Sequence, residues 1–251
     1  MTSLDLRPMS VGEILDGGFS LYRNHFSALI GISIVCLGLP TLLSVYTEIG
    51  GGMIAHPGLS LFSTLLFGIG WLPCSAATVW AVSEVYLGRD PVLGPALRYG
   101  VRRIGRLMIV GLASYILVFF ATLLLVIPGI IVACGYSVAV QVVVLEELRA
   151  STDALGRSWA LTKGFKGKAF QLAVTLGILY MLPAFAVGAI GVLVPGGETA
   201  MSVIAQFVSF LLTPWFACVF TLFYYDLRIR HEGFDLQVLS QTLEHPVPAP
   251  A

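Results

Sequence analysis

LMIVGLASYILVFFATLLLVIPGIIVACGYSVAVQVVVL, residues 107–145, runs without one charged side chain. A bilayer core about 30 Å thick is crossed by about 20 apolar residues in an α-helix, so this run holds about two crossings. Pro128 and Gly129, a turn-forming pair, fall near its middle. The spacing predicts a tight hairpin of two membrane spans, and a re-entrant pair is the alternative those residues leave open.

The composition agrees with that reading. Of 251 residues, 57% are hydrophobic and 11% charged, with a mean hydropathy of +0.90, against about 25% charged residues in an ordinary soluble domain. Six apolar stretches of span length are legible: Ser27–Glu48, Leu59–Leu87, Leu107–Ile127, Ile130–Leu145, Ala169–Val194 and Ala200–Tyr225. The expected fold is an all-α integral membrane protein with six transmembrane helices arranged as three hairpins. The first 26 residues are too polar for a cleavable signal peptide, so the first span is expected to be retained. Residues 1–243 read as one polytopic domain, and 244–251, ending HPVPAPA, as a disordered proline-rich tail.

The formal net charge is +0, but the fourteen Lys and Arg residues all fall on one side of the six-span arrangement. The opposite connections, around Gly50–Pro57, Pro128–Gly129 and Pro195–Thr199, hold no base. By the positive-inside rule both termini are cytoplasmic. Three connections on the basic side have helical apolar faces. Met9–Phe26 opens with Ser10 and Glu13 at capping-box spacing. In Asp90–Arg106, Asp90 and Pro91 supply start signals, and Arg98, Arg102, Arg103 and Arg106 turn away from the apolar face. Ser151–Lys168 carries a weaker face that ends near Gly164. Each is expected to be an amphipathic helix lying at the cytoplasmic interface ahead of a hairpin.

A period emerges, with units at about 9–89, 90–150 and 151–240. The odd spans carry Leu39-Pro40, Ile127-Pro128 and Leu182-Pro183. The even spans end alike: SEVYLGR with Glu84 and Arg89, VLEELR with Glu146 and Arg149, and YYDLRIR with Asp226, Arg228 and Arg230. Glu146 and Arg149 are three apart and Asp226 and Arg230 four apart, so each pair can meet on a helix face, whereas Glu84 and Arg89 fit less well. Glu84, Glu146 and Asp226 therefore read as interfacial caps paired with neighbouring bases. The sharper alternative is a ring of three acids around a cytoplasmic vestibule.

Catalytic constellations are weak. His25, His56, His231 and His245 lie in four separate segments, and Cys36, Cys74, Cys134 and Cys218 sit apart in apolar runs. Neither set has a metal-ligand spacing, and no Walker-type glycine loop is present. Gln141 and Gln206 read as interhelical hydrogen-bond partners, and Gly31, Gly111, Ser114, Gly177, Gly188 and Gly191 as points of close helix contact. The chain is expected to be no enzyme and to need no cofactor.

LRPMSVGEILDGGFSLYRNHF, VVVLEELRASTDALGRSWALTKG and YYDLRIRHEGFDL together resemble the bacterial family named for the membrane domain of glycerophosphoryl diester phosphodiesterase, in order and over nearly the whole chain. The matching positions are Arg7, Pro8, Glu13, Leu15, Asp16, Glu146, Ala154, Ser158, Asp226, Arg228, Glu232, Gly233 and Asp235. The resemblance implies a multi-pass helical domain of a bacterial cytoplasmic membrane. It does not imply the phosphodiesterase reaction, whose separate TIM barrel of well over 200 residues does not fit in this chain. The expected function is a non-catalytic membrane module, a scaffold or accessory subunit. Its partners would be anionic lipid head groups, met through Arg98, Arg102, Arg103, Arg106, Arg228 and Arg230, and a membrane-protein partner or second copy, with no nucleic acid. The alternative is a transporter, flippase or channel along the repeat axis.

The one-sided bases generate a topological prediction. Single cysteines at Gly52 and Gly197 should label with a membrane-impermeant reagent in intact cells, and cysteines at Arg103, Lys166 and Glu244 should not. Labelling of the Arg103 position from outside would contradict the arrangement.

Overall fold

In the computed structural model the capping box forms as its spacing predicts. The Ser10 hydroxyl accepts the Glu13 amide at 3.3 Å and the Glu13 carboxylate accepts the Ser10 amide at 2.7 Å, which starts α1 (Val11–Asn24). The structure describes residues 7–193 and 197–233. The tail, Asp235, Glu244 and the connection at 194–196 lie outside the described residues.

His25 interrupts the helix for one residue before α2 (Phe26–Ile49). A short turn, α3 (Gly52–Ala55), leads to α4 (Pro57–Tyr86), α5 (Leu93–Leu124), α6 (Val126–Gly135), α7 (Ala139–Leu145), α8 (Asp153–Leu161), α9 (Lys166–Leu193) and α10 (Gly197–Glu232). Among the described residues six helices, with Val126–Leu145 taken as one, are long and apolar enough to cross a membrane. The chain is thus all-helical and fits a multi-pass membrane protein. At 1.5 Å per residue α10, 36 residues long, extends about 54 Å, well beyond one hydrocarbon core.

Two boundaries differ from the sequence expectation. No separate helix covers 90–106: Asp90 and Pro91 stay outside, Val92 is the N-cap, and α5 runs 32 residues from the basic segment into the apolar one. The reason is local, since nothing between Arg106 and Leu107 stops a helix and each further residue adds a backbone hydrogen bond. The turn of the central hairpin falls at Leu125, in extended conformation, rather than at Pro128-Gly129. Pro128 lies in the first turn of α6, where a missing amide hydrogen is harmless. Accordingly it belongs to the even span and not, like Pro40 and Pro183, to an odd one. The third connection keeps a short helix, α8, and Gly164 adopts φ +84° in the turn that follows.

Consecutive spans pack on one another, α2 on α4, α4 on α5, α5 on α6 and α9 on α10, and α10 also packs against α1, α2 and α4. Burial along α10 is concentrated from Pro214 and Cys218 to Ile229, and along α4 from Pro73 to Tyr86. The core therefore lies at the charged end of the bundle. Beyond Val110, α5 buries nothing, and Leu112, Tyr115, Phe119 and Phe120 face outward, an arrangement that lipid tails tolerate as well as protein does.

Of the glycines singled out in the sequence, Gly191 makes a close helix approach, since a Cβ there would lie 2.9 Å from Met201 Cβ on α10, and glycines not singled out do so as well. A Cβ on Gly70 would lie 2.4 Å from the Cys36 carbonyl oxygen, and one on Gly100 would lie 2.5 Å from the Pro73 carbonyl oxygen. By contrast, Gly111, Gly177 and Gly188 face open space. Gly100→Ala should destabilise the protein by about 1–3 kcal/mol, the usual cost of overpacking against backbone, and Gly111→Ala should be neutral or slightly stabilising. Thermal unfolding in detergent measures both, and equal behaviour of the two variants would contradict the packing.

Candidate functional site

Because α10 continues past Tyr225 for two further turns, Asp226 is not at a helix end reached by water. Its side chain is 0% exposed, and a lone carboxylate there would be heavily penalised. Three groups compensate it. The Met9 amide donates to Oδ1 at 2.7 Å, Lys168 Nζ reaches Oδ2 at 2.5 Å, and Arg230 Nε lies 3.1 and 3.0 Å from the two oxygens. Both cations also donate to the Met9 carbonyl, at 2.5 Å from Lys168 and 2.9 Å from Arg230 Nη2. One residue of backbone ahead of α1 is thereby held on α9 and α10 at once.

A second cluster lies nearby. Glu146, at the C-cap of α7, accepts Arg157 Nε at 2.8 and 3.1 Å and the Tyr224 hydroxyl at 2.9 Å. Arg157 also pairs with Glu232, which accepts Arg228 Nε at 3.0 Å. The expected Glu146–Arg149 pair does not form, because α7 ends at Leu145 in extended backbone and the chain turns α8 and its Arg157 towards the carboxylate. Burial works against the Arg157 cation, yet the hydrogen bonds and charges of Glu146 and Glu232 raise its pKa above the ordinary value.

Of the expected pairs, Asp226–Arg230 is present, and Glu84–Arg89 forms at 3.3 Å with Gly88 at φ +78° turning the chain back. Arg228 and Arg230 direct their guanidinium groups to carboxylates inside the protein. Arg103 does likewise, donating to the Val143 carbonyl at 2.7 Å and stacking on Tyr99, so it does not turn away with its neighbours. Arg98, Arg102 and Arg106 are exposed. Lys168, Arg157, Tyr224 and the Met9 backbone were not singled out as site groups from the sequence. Their partners lie between 11 and 221 positions away, beyond the reach of any local spacing rule.

Between α6 and α7 the span is broken at Tyr136–Val138. The Gly135 carbonyl accepts the Ser158 hydroxyl at 2.9 Å and the Thr162 hydroxyl at 3.2 Å, so α8 closes the gap and satisfies backbone that the break releases. The Gln141 carboxamide oxygen has no partner among the described residues.

A cavity of about 570 Å³ lies in the other half of the bundle, between α2, α4, α9 and α10. Thr41, Ser44, Ser63, Thr64, Ser209 and Thr213 bring hydroxyls to its wall, and Gln206 brings a carboxamide. None of Glu84, Glu146 and Asp226 lines it. Among the described residues no group of three or more His, Cys, Asp or Glu could hold a metal ion. Comparison with protein families, with characterised proteins and with solved structures found no match.

Removing one partner of a buried charge pair typically costs about 3–5 kcal/mol, and an exposed pair about 0–1. Asp226→Asn should therefore lower stability several times more than Glu84→Gln in denaturant titrations of the purified protein. Equal effects would mean that Asp226 is an ordinary interfacial cap. Glu13 responds to pH. Hydrogen bonds from the Ser10 amide and Arg7 hold its carboxyl at about 2, below the usual 4.5. The box then stabilises α1 fully above pH 4.5 and is lost as the pH falls towards 2. A Glu13→Gln variant should show a shallower loss of α1 protection over that interval, measured by hydrogen exchange.

Proposed function

We propose that the chain is a non-catalytic module of a bacterial cytoplasmic membrane, with both termini cytoplasmic and three helix-plus-hairpin units. It serves as a scaffold or accessory subunit held against anionic lipid and a membrane-protein partner or second copy. The observation that carries this reading is the allocation of charge at the basic end. Asp226, Glu146, Glu232 and Glu84 are all engaged by cations, leaving little for acid–base chemistry or for a vestibule. Arg98, Arg102 and Arg106, spaced four apart on the first turns of α5, remain exposed. A stripe of that spacing lies on one helix side, at the depth where a span meets head groups. The family resemblance supports the module as well. A second reading, a carrier or flippase, rests on the 570 Å³ cavity.

Each base near an anionic leaflet contributes about 1 kcal/mol. Replacing Arg98, Arg102 and Arg106 together by Gln should strip phosphatidylglycerol from protein purified in mild detergent, read by native mass spectrometry. Topology at Gly52 serves as the control for a changed orientation. Unchanged lipid retention with unchanged topology would overturn the lipid contact.

A further inference from the structure

The cavity between α2, α4, α9 and α10 has a consistent electrostatic character. Thr41 donates to the Leu37 carbonyl at 2.7 Å, Thr64 to Ser60 at 2.8 Å, Ser209 to Ala205 at 2.8 Å and Thr213 to Ser209 at 2.9 Å. With the protons of these hydroxyls committed to helix carbonyls, what they present to the cavity is lone pairs. The Tyr180 hydroxyl lies 2.9 Å from Ser209 Oγ. Phe67, Trp71, Tyr180, Phe210 and Phe216 add aromatic rings to the wall, and no Lys, Arg or His lines it.

At the end remote from the ionic clusters stands a carboxylate. Glu48 is half-buried, one helical turn beyond Ser44 on α2, and its Oε1 accepts the Ser202 hydroxyl at 3.0 Å. Ser202 is in turn one helical turn before Gln206 on α10. No cation pairs with Glu48 among the described residues, in contrast to Asp226, Glu146 and Glu84. The positive charges of the protein lie at the other end of these helices, so nothing in the described structure neutralises this one.

We propose that the cavity is a binding site for a lipophilic monocation, a drug-sized organic ammonium or phosphonium whose apolar body lies among the rings and whose charge is drawn towards Glu48, which stands one helical turn beyond the lining residue Ser44 and not in the wall itself. The volume suits a molecule of that size. Aromatic faces attract cations and hydroxyl lone pairs favour positive charge, more strongly where water is excluded. An anion of equal size finds N–H donors at Gln206 and Trp71 but no cation in the wall, and a like charge one helical turn beyond it. This inference stands apart from the module reading, which depends on the other end of the bundle.

The experiment uses the full chain in nanodiscs of neutral lipid, with radiolabelled tetraphenylphosphonium as probe and empty nanodiscs as the partition blank. Saturable binding is expected, uncompeted by tetraphenylborate, which has the same shape and the opposite charge. Glu48→Gln should weaken it by roughly tenfold, as expected for one partly buried charge contact. Ala205→Trp, which fills the cavity, should abolish it, with Ala205→Phe as the smaller filler should the Trp variant not be monodisperse. Glu198→Gln, in the same end of α10 but not in the wall, should bind as the unmodified chain does. Absence of saturable binding, competition by tetraphenylborate, or full affinity in both the Glu48 and Ala205 variants would overturn the proposal.

Discussion

A single buried carboxylate organises the charged end of this bundle. Asp226 has no access to solvent and is compensated by Lys168 from α9, Arg230 from its own helix and the Met9 amide. Two cations against one anion leave an excess that the Met9 carbonyl accepts. The arrangement is costly to assemble and costly to break, because each member is desolvated and depends on the others. Its structural consequence is directional. It fixes the backbone ahead of α1, and through the capping box that begins one residue later it fixes the direction in which α1 leaves.

The two halves of the bundle differ accordingly. At the charged end α10 is surrounded, with Tyr224, Phe223 and Leu227 wholly buried, the Tyr86 and Tyr225 rings stacked at 4.2 Å, and Glu146 tied to Arg157 and Tyr224. At the other end the helices separate around a hydroxyl- and ring-lined space. Four prolines, Pro40, Pro73, Pro183 and Pro214, sit inside the long helices, and each removes an amide from the helical ladder. The Leu211 carbonyl, one turn before Pro214, accepts the Tyr22 hydroxyl at 2.8 Å, so α1 also supports α10 beside its proline. The closely packed end of the bundle is the one that holds the ion pairs.

Span number was legible because it rests on run length, which the bilayer sets directly. The α1 start was legible because its capping box is spelled within four residues. What could not be read locally were interactions set by packing. The 90–106 segment has an amphipathic face and looks separable, and the contacts it makes inside the bundle, Gly100 against the Pro73 carbonyl and Arg103 on Val143, have no local signature. Asp226 and Arg230 were paired by their spacing, but the depth of Asp226 was not, because its burial depends on Met9, 217 positions away. Arg149 stood close to Glu146 in sequence and lost to Arg157, which α8 delivers from a better direction. The cavity had no sequence signature: its hydroxyls are scattered over three helices and only their convergence distinguishes them from ordinary span residues.

The most direct test of the Asp226 anchor is hydrogen exchange of residues 9–24 in the full protein, compared between the unmodified chain and Asp226→Asn. If the carboxylate fixes the segment ahead of α1, the Met9 amide and the first turns of α1 should lose protection by at least about tenfold, a change of 1.4 kcal/mol in local opening, while the α4–α5 contact around Gly100 keeps its own. Unchanged protection of Met9 and α1 in that variant would contradict the account.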